Sequence, residues 1–236
     1  MDFGTTTFWL ALLEIIWVNI LLSGDNAVVI ALAARSLPAS RQFSAIAIGS
    51  GAAVVLRILL TLAAAQLLLL PWLKLVGAVL LLYIGVTLLL PEKEGDGQVR
   101  QHGSLWAAIR TILIADLIMS LDNVVAVAAA AQGSLLLLIL GLGISIPLVI
   151  FGSTLLLKLT NRLPIIVWLG AALLGYIAGD MAVGDLALGD VIASLEHGMG
   201  VSAGQFSALV GAVGALVVVV LGKILLLGRQ HQRQDA

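Results

Sequence analysis

The segment NILLSGDNAVVIALAA, residues 19–34, places an aspartate and an asparagine inside one of the most apolar parts of the chain. A related segment, DLIMSLDNVVAVAAAA, occupies residues 116–131. Ionisable side chains within such stretches are costly in lipid, and they commonly mark ion or proton pathways. The two segments therefore direct both the prediction of the fold and the search for a site.

The composition of the whole chain indicates a membrane protein. Of its 236 residues, 61% are hydrophobic and only 11% are charged, against about 25% charged in a typical soluble domain. Long apolar stretches, without the alternation of barrel strands, predict an all-α polytopic membrane protein. We predict seven transmembrane helices, at residues 8–34, 43–70, 72–90, 106–131, 135–157, 164–183 and 205–227.

The distribution of basic residues predicts the orientation. Ten of the twelve Lys and Arg residues lie on alternate connecting segments or at the C-terminal end. The positive-inside rule places these segments in the cytoplasm, with the N-terminus outside and the C-terminus cytoplasmic. The first ten residues lack the basic start of a secretory signal, so we expect the first apolar stretch to be retained. The expected location is the bacterial inner (plasma) membrane, with multiple passes.

The residues and motifs that the sequence lacks argue against several classes of function. The chain has no cysteine, which excludes disulfides and thiolate metal sites, and its net charge of −1 gives no reason to expect a nucleic-acid partner. It contains no recognisable phosphate-binding loop or nucleophile triad. We therefore expect no enzymatic activity and no permanently bound cofactor. The lipid bilayer is the expected partner, and a homo-oligomer is compatible with the sequence.

An internal duplication relates the two opening segments. At an offset of 97 residues, SGDNAVVIALAA at 23–34 matches SLDNVVAVAAAA at 120–131 in seven of twelve positions. At an offset of 93, PWLKLVGAVLLLYI at 71–84 also matches PIIVWLGAALLGYI at 164–177 in seven positions. Each copy would hold three helices, an odd number, so the second copy must be inverted. Inverted repeats are a construction of secondary transporters, whose substrate sites lie near the membrane midplane.

This duplication defines the expected organisation as one transporter domain over residues 1–228. Within it we predict repeat one at 8–90, a cytoplasmic linker at 91–105 and repeat two at 106–183. An outer loop at 184–204 and a seventh helix at 205–227 complete the domain, and a cytoplasmic tail follows at 229–236.

Helical spacing organises the polar residues into two stripes. Asn19, Ser23 and Asn26 stand at i, i+4 and i+7, and the second segment repeats the stripe with Asp116, Ser120 and Asn123. Asp25 and Asp122 lie about 100° away, on the rim of each stripe. One locally opened turn would rotate these two carboxylates onto the face of the polar stripes. The segment LSGDN favours such a turn because glycine lowers helix propensity. The second copy has Leu121 in place of this glycine, which leaves a break there open.

The residue types suit a hard cation. If the two segments pack together, carboxylate and amide oxygens meet in one cavity, and these oxygens suit Mg²⁺, Ca²⁺ and Mn²⁺. All three histidines lie outside the predicted helices, which argues against zinc or copper. The alternative is that the Asn and Ser side chains only form hydrogen bonds that hold helices together. Candidates for a pathway or for proton coupling are Glu14, Arg57, Ser23, Ser120 and Asp180.

At these motifs the chain resembles the TerC family of integral membrane proteins, in particular its short YjbE-like branch. The resemblance rests on LSGDNAVVIALAARSLP in the first predicted helix, DLIMSLDNVVAVA in the fourth and LGAALLGYIAGD in the sixth. It implies seven helices in the LysE-type transporter superfamily and the export of divalent metal, chiefly Mn²⁺. The implied metal-site residues are Asp25, Asn26, Asp122 and Asn123, with Asn19 and Asp116 nearby.

We therefore expect an exporter of divalent cations, with Mn²⁺ as the transported ion, that works by alternating access with proton antiport. Two alternatives remain open from the sequence. One is an amino-acid exporter like LysE, for which Arg57 and the acids would bind a zwitterion. The other is a membrane assembly or metal-delivery factor for exported proteins, which would not itself transport.

Overall fold

The computed structural model describes residues 6–67, 70–90, 104–131 and 134–234, and these parts are helical with no strand among them. This confirms the all-α prediction. A 3₁₀ helix lies at Leu186–Leu188. The α-helices of the described parts are α1 Thr6–Leu21, α2 Gly24–Arg35, α3 Ala39–Leu67, α4 Leu73–Leu89, α5 Leu105–Ala131, α6 Leu135–Arg162, α7 Ile165–Val183, α8 Gly189–Met199 and α9 Ala203–Gln234.

The described helices provide four to six candidate membrane spans. Four of them lie within α3, α6, α7 and α9. Two bent pairs raise the number to six if each is one span: Phe8–Ile20 with Gly24–Arg35, bent by 50°, and Leu105–Leu121 with Asn123–Ala131, bent by 70°. The helix α4 has 17 residues, about 25 Å at 1.5 Å per residue, and falls at the short end of what spans a bilayer. The seven-span topology thus stays a prediction.

Several predicted boundaries differ from the structure: α3 begins at Ala39 rather than 43 and α6 ends at Arg162 rather than 157, and three further differences change the organisation. The first predicted span, 8–34, is two helices, because the chain leaves the α-helix at Leu22 and Ser23. The predicted outer loop at 184–204 contains the 3₁₀ helix and α8. The last helix continues to Gln234, beyond the predicted end at 227, since Arg and Gln are good helix formers in water as well as beside lipid. The predicted linker at 91–105 lies outside the described residues up to position 103.

The helices form two compact units, and each takes helices from both predicted repeats. The first unit holds α1, α2, α3, α5 and α6, with α3 packed along α5 and both α1 and α2 against α5. Its apolar core includes Phe8, Leu12, Ile15, Leu137 and Leu142. The second unit holds α4, α7, α8 and α9, with α7 packed against both α4 and α9.

Glycines set the close approach of α7 to α9 in the second unit. A Cβ on Gly175 would overlap the carbonyl group of Gly214, and one on Gly179 would overlap that of Val210. Small residues let membrane helices approach until their backbones touch, which is how such helices associate without a hydrophobic driving force. The contact between α7 and α9 therefore depends on these two positions.

Asp185 ties two turns of the second unit together. Its side chain is 2% exposed. Its carboxylate accepts the backbone N–H groups of Trp72 at 2.9 Å, Leu75 at 2.9 Å and Ala187 at 2.8 Å. Trp72 has a left-handed backbone, φ 71°, which is uncommon for a non-glycine residue, and its bond to Asp185 helps to hold that conformation.

The same contacts determine the ionisation of Asp185. Burial acts to raise the pKa of this carboxyl, but the backbone N–H groups that it accepts outweigh burial and hold the pKa below its ordinary value. Asp185 therefore stabilises the fold as a carboxylate.

We expect Gly175→Ala to destabilise the protein by about 1–3 kcal/mol, because the added methyl meets backbone that cannot move aside cheaply. The measurement is the thermal unfolding midpoint in detergent, followed by tryptophan fluorescence. Gly143→Ala is the control, since a Cβ at Gly143 meets nothing within 4 Å. Equal midpoints for the two variants would contradict the proposed close contact.

We expect Asp185→Asn to lower the unfolding midpoint, by an amount that depends on pH. Because the folded-state pKa lies below the unfolded value of about 3.9, the stabilisation is fully present above that value and is lost as pH falls through the folded-state pKa. The difference between native and variant should be constant from about pH 8 to pH 5 and shrink only below about pH 4.

The matched control for this prediction is Asp190→Asn, which changes an exposed acid on α8 of the same unit. A difference between native protein and Asp185→Asn that disappears near neutral pH, or one no larger than that of the control, would show that Asp185 does not tie the turns.

Candidate functional site

A buried arginine lies at the centre of a polar cluster in the first unit. Arg57, on α3, is 4% exposed, and Asp116, on α5, is 6% exposed. The guanidinium Nη2 of Arg57 forms an ion pair with Oδ1 of Asp116 at 2.5 Å. A charge that is taken out of water needs such a partner, because the desolvation of an unpaired ion costs several kcal/mol.

The remaining guanidinium donors bind the two polar stripes that the sequence predicts. Nη1 of Arg57 donates to Oδ1 of Asn19 at 2.5 Å and, more weakly, to the hydroxyl of Ser23 at 3.4 Å. Nε donates to the hydroxyl of Ser120 at 3.0 Å, which in turn donates to Oδ2 of Asp116 at 3.3 Å. One side chain on α3 thus joins the α1 stripe to the α5 stripe.

A serine on α6 completes the cluster. The amide Nδ2 of Asn19 donates to the hydroxyl of Ser145, and that hydroxyl donates to the carbonyl of Leu142 at 2.7 Å. Asn19 is 1% exposed and both polar ends of its side chain are bonded. Its orientation is therefore fixed, with the carbonyl oxygen toward Arg57.

A small cavity of about 10 Å³ lies beside the cluster, which is room for roughly one water molecule. Its polar lining comes from the side chains of Asn19, Ser23, Asn26, Ser50, Arg57 and Asp116, and its apolar lining includes Val149 of α6. A cavity of this size, with polar groups on part of its lining, suits a water molecule or a bare ion.

Two of the lining side chains have unused hydrogen-bonding groups. Both Nδ2 and Oδ1 of Asn26 are buried without a hydrogen-bond partner among the described residues, and so is the hydroxyl of Ser50. Asn26 is 2% exposed. A buried unsatisfied polar group costs about 1–3 kcal/mol, so this asparagine is poorly explained by stability alone.

The break between α1 and α2 places Asp25 at a helix start. Asp25 lies in the first turn of α2, where the helix dipole favours an anion, and its Oδ1 accepts the backbone N–H of Asn26 at 2.8 Å. The amide of Asn123, on α5, donates to the carbonyl of Leu22 within the break at 3.3 Å. We call residues 19–34 and 116–131 the first and second DN segments, after the Asp-Asn pair in each. The two DN segments are thus in direct contact, and Asn123 of the second supports the opened turn of the first.

The second DN segment bends as well. The axes of Leu105–Leu121 and Asn123–Ala131 differ by 70°, so the direction of α5 changes at the position of Asp122. The side chain of Asp122 lies outside the part of the structure that is described, and its predicted role as a ligand stays a prediction.

The structure brings some of the predicted site residues together and separates others. Asn19, Ser23, Asn26, Asp116 and Ser120 lie in or beside the Arg57 cluster. Asp25 is partly buried and bonds its own neighbour.

Two predicted residues lie elsewhere. Glu14 is exposed on α1, on the face that also carries the exposed side chains of Leu10, Leu13 and Trp17. Asp180 is exposed on α7 in the second unit and accepts a hydrogen bond from Ser207.

Two members of the cluster escaped the sequence prediction, namely Ser50 and Ser145. Each is a single hydroxyl in a stretch rich in glycine and apolar residues, IAIGSGAAV and LGLGISIPLV. Serine is common in membrane helices, so neither has a signal of its own. Their proximity to the glycine pairs that match between the repeats, Gly49 and Gly51 with Gly141 and Gly143, was the available hint.

The chemistry of the cluster is that of hard oxygen ligands around a cation. In the described conformation the cation is the guanidinium of Arg57, which offsets the charge of Asp116. No group of three or more His, Cys, Asp or Glu side chains that could hold a metal ion occurs among the residues described. Any ion at this place would therefore depend on amide and hydroxyl oxygens as well as on carboxylates.

Comparison with known proteins gives the family. A model of the integral membrane protein TerC family matches residues 4–232. The uncharacterized membrane protein YjbE of Bacillus subtilis is 44% identical over 191 residues, which are 81% of this chain and 86% of that protein. YkoY of the same organism is 27% identical over 224 residues, or 83% of this chain and 69% of YkoY.

A third relative, YceF of Bacillus subtilis, is 29% identical over 121 residues, about half of each chain. No solved structure matches the chain. The family match across nearly the whole chain and the similarity to YjbE agree with the apolar helices of the structure. The chain is a multi-pass bacterial membrane protein, and it belongs to the TerC family.

Proposed function

We propose that the protein is a transporter that exports divalent metal cations, Mn²⁺ foremost, from the cytoplasm through the Arg57 cluster. The observation that carries this proposal is the buried side chain of Asn26, whose amide faces a small cavity with neither polar end bonded among the described residues. An unsatisfied amide is costly to bury, and a group that enters the cavity would supply the missing partner.

The oxygens around the cavity define the class of substrate. Asp116, Asn19 and Asn26 bring carboxylate and amide groups, and serine hydroxyls lie among them. Such ligands suit Mn²⁺, Mg²⁺ and Ca²⁺. A cavity of about 10 Å³ accommodates a dehydrated ion and is too small for an amino acid, which disfavours the LysE-like alternative in this conformation.

The bends in the helices support a transport cycle by alternating access. Discontinuous helices at a midplane site are characteristic of secondary transporters, in which one part of the bundle rocks against another. Here the break between α1 and α2 and the bend of α5 both lie at the DN segments. In the proposed cycle the metal enters from the cytoplasm, displaces protons from Asp25 and Asp122, and leaves outward as protons return. The duplicated, inverted topology and the seven-span count are part of this proposal.

We predict that Asn26→Leu strongly lowers Mn²⁺ export without destabilising the protein. The substitution keeps the number and branching of the side-chain heavy atoms and removes two unsatisfied polar atoms, so the unfolding midpoint should stay constant or rise if the adjoining cavity takes up the larger methyl groups. Export is measured as Mn²⁺ flux in proteoliposomes that contain a metal-sensitive dye. A fall of about tenfold or more is expected, the equivalent of one lost ligand interaction.

The matched control is Ser153→Ala. Ser153 also has a buried hydroxyl without a partner among the described residues, but it does not line the cavity. This variant should keep the native flux. If Asn26→Leu were destabilised and still transported at the native rate, Asn26 would be a structural residue and the proposed site would be wrong. The assembly-factor alternative predicts that the native protein itself moves no Mn²⁺.

A further inference from the structure

Resting on the proposed function, we propose that Arg57 is a built-in competitor of the transported cation. Its guanidinium occupies the oxygen ligands of the site when no metal is bound, and it must leave them when the metal enters. Arg57 is thus a positioning residue that sets the affinity of the site and allows the empty carrier to complete its cycle.

Arg57 uses the ligands that a divalent cation would need. The oxygen Oδ1 of Asp116 and the oxygen Oδ1 of Asn19 each lie 2.5 Å from a guanidinium nitrogen. The hydroxyls of Ser23 and Ser120 accept the remaining contacts at 3.4 and 3.0 Å. Both residues that the sequence predicts as nearby metal ligands, Asn19 and Asp116, are therefore already occupied by a cation tethered to α3.

Electrostatic repulsion keeps Arg57 and a metal ion from sharing these ligands. A divalent ion placed on the same oxygens would lie within a few ångströms of the guanidinium, and the repulsion between like charges is strong away from water. The cavity beside the cluster has room for about one water molecule and cannot separate the two charges. Occupation of Asp116 by Arg57 and by metal must therefore alternate.

The type and place of this residue suit the role of a competitor. Arginine presents its donors as a planar fork, so a single side chain binds Asp116 and Asn19 together. At an offset of 92 residues, Gly49 and Gly51 of the first repeat align with Gly141 and Gly143 of the second. The same offset aligns Arg57 with Val149. Val149 lines the same cavity. The two repeats therefore differ at this aligned position, which holds a cation in the first repeat and an apolar side chain in the second.

The consequence for transport is a difference between two modes of flux. In net export the site must return empty across the membrane, and Arg57 keeps Asp116 neutralised during that step. In exchange of Mn²⁺ for Mn²⁺ the site returns loaded, and Arg57 is not needed. Loss of the guanidinium should therefore tighten metal binding, suppress net export and preserve exchange.

The test compares native protein with Arg57→Gln and Arg57→Lys in proteoliposomes. Mn²⁺ affinity, net efflux into metal-free medium and exchange against external Mn²⁺ are measured for each. For Arg57→Gln we expect the dissociation constant to fall and net efflux to drop, each by about tenfold or more, with exchange within a few-fold of native. Arg110→Gln is the control, since Arg110 is exposed on α5 and should leave all three quantities unchanged.

The lysine variant keeps the inference testable if the glutamine variant does not fold. Lysine retains the charge but lacks the planar fork that joins Asn19 to Asp116, so it should compete less well. We expect it to bind Mn²⁺ more tightly than native protein and to retain net efflux. Weaker binding by either folded variant, or a parallel loss of net efflux and exchange, would overturn the role of Arg57.

These outcomes separate the inference from the function beneath it. If the native protein neither binds nor moves Mn²⁺, both the proposed function and the role of Arg57 are wrong. If the native protein does both, and the Arg57 variants show no separation between net efflux and exchange, then only the role of Arg57 is wrong.

Discussion

The ion pair between Arg57 and Asp116 is the interaction on which the rest of the first unit depends. Two full charges lie among apolar helices, and breaking such a pair leaves one ion uncompensated, at a cost of roughly 3–5 kcal/mol. The surrounding polar side chains can be understood from that constraint. Asn19 on α1 and Ser120 on α5 each satisfy a guanidinium donor, and Ser145 holds Asn19 in the orientation that the arginine requires.

The helix break between α1 and α2 belongs to the same arrangement. Ending α1 at Leu21 brings Ser23 toward Arg57 and frees the carbonyl of Leu22, which Asn123 then bonds. In lipid each freed backbone group must find a partner within the protein, so a break is tolerated only where such polar side chains are at hand. The two DN segments therefore depend on each other. The first segment breaks its helix, and Asn123 of the second bonds the carbonyl group that the break leaves free.

Against this well-bonded background, Asn26 and Ser50 stand out. Their polar groups are buried and unbonded among the described residues, although they lie beside a cluster in which nearly every donor has an acceptor. Local departures from consistent bonding are expected at functional sites, where stability is given up for binding. This contrast, more than the presence of polar residues as such, separates a binding site from hydrogen bonds that merely hold helices together.

The sequence predicted the parts of this picture that depend on local pattern. Apolar length gave the helical class, i, i+4, i+7 spacing gave the stripes, and Gly24 gave the break in the first DN segment. It could not assign a partner to Arg57, because four candidate acids were available and pairing depends on how α3 packs against α5. Helix α8 was missed as well, since its short apolar face at Val191, Leu195 and Met199 is weaker than the signal of a membrane span. Asp185 looked like one acid among several in a loop, and only the fold shows that it binds backbone N–H groups.

The most direct test of the central claim is an anomalous difference map from crystals soaked in Mn²⁺. We expect one strong peak in the first unit, about 2.0–2.6 Å from carboxylate and amide oxygens that include those of Asp116 and Asn26, with the guanidinium of Arg57 withdrawn from Asp116. A map without a peak in this cluster, or with Arg57 still paired to Asp116 beside a metal bound elsewhere, would contradict it.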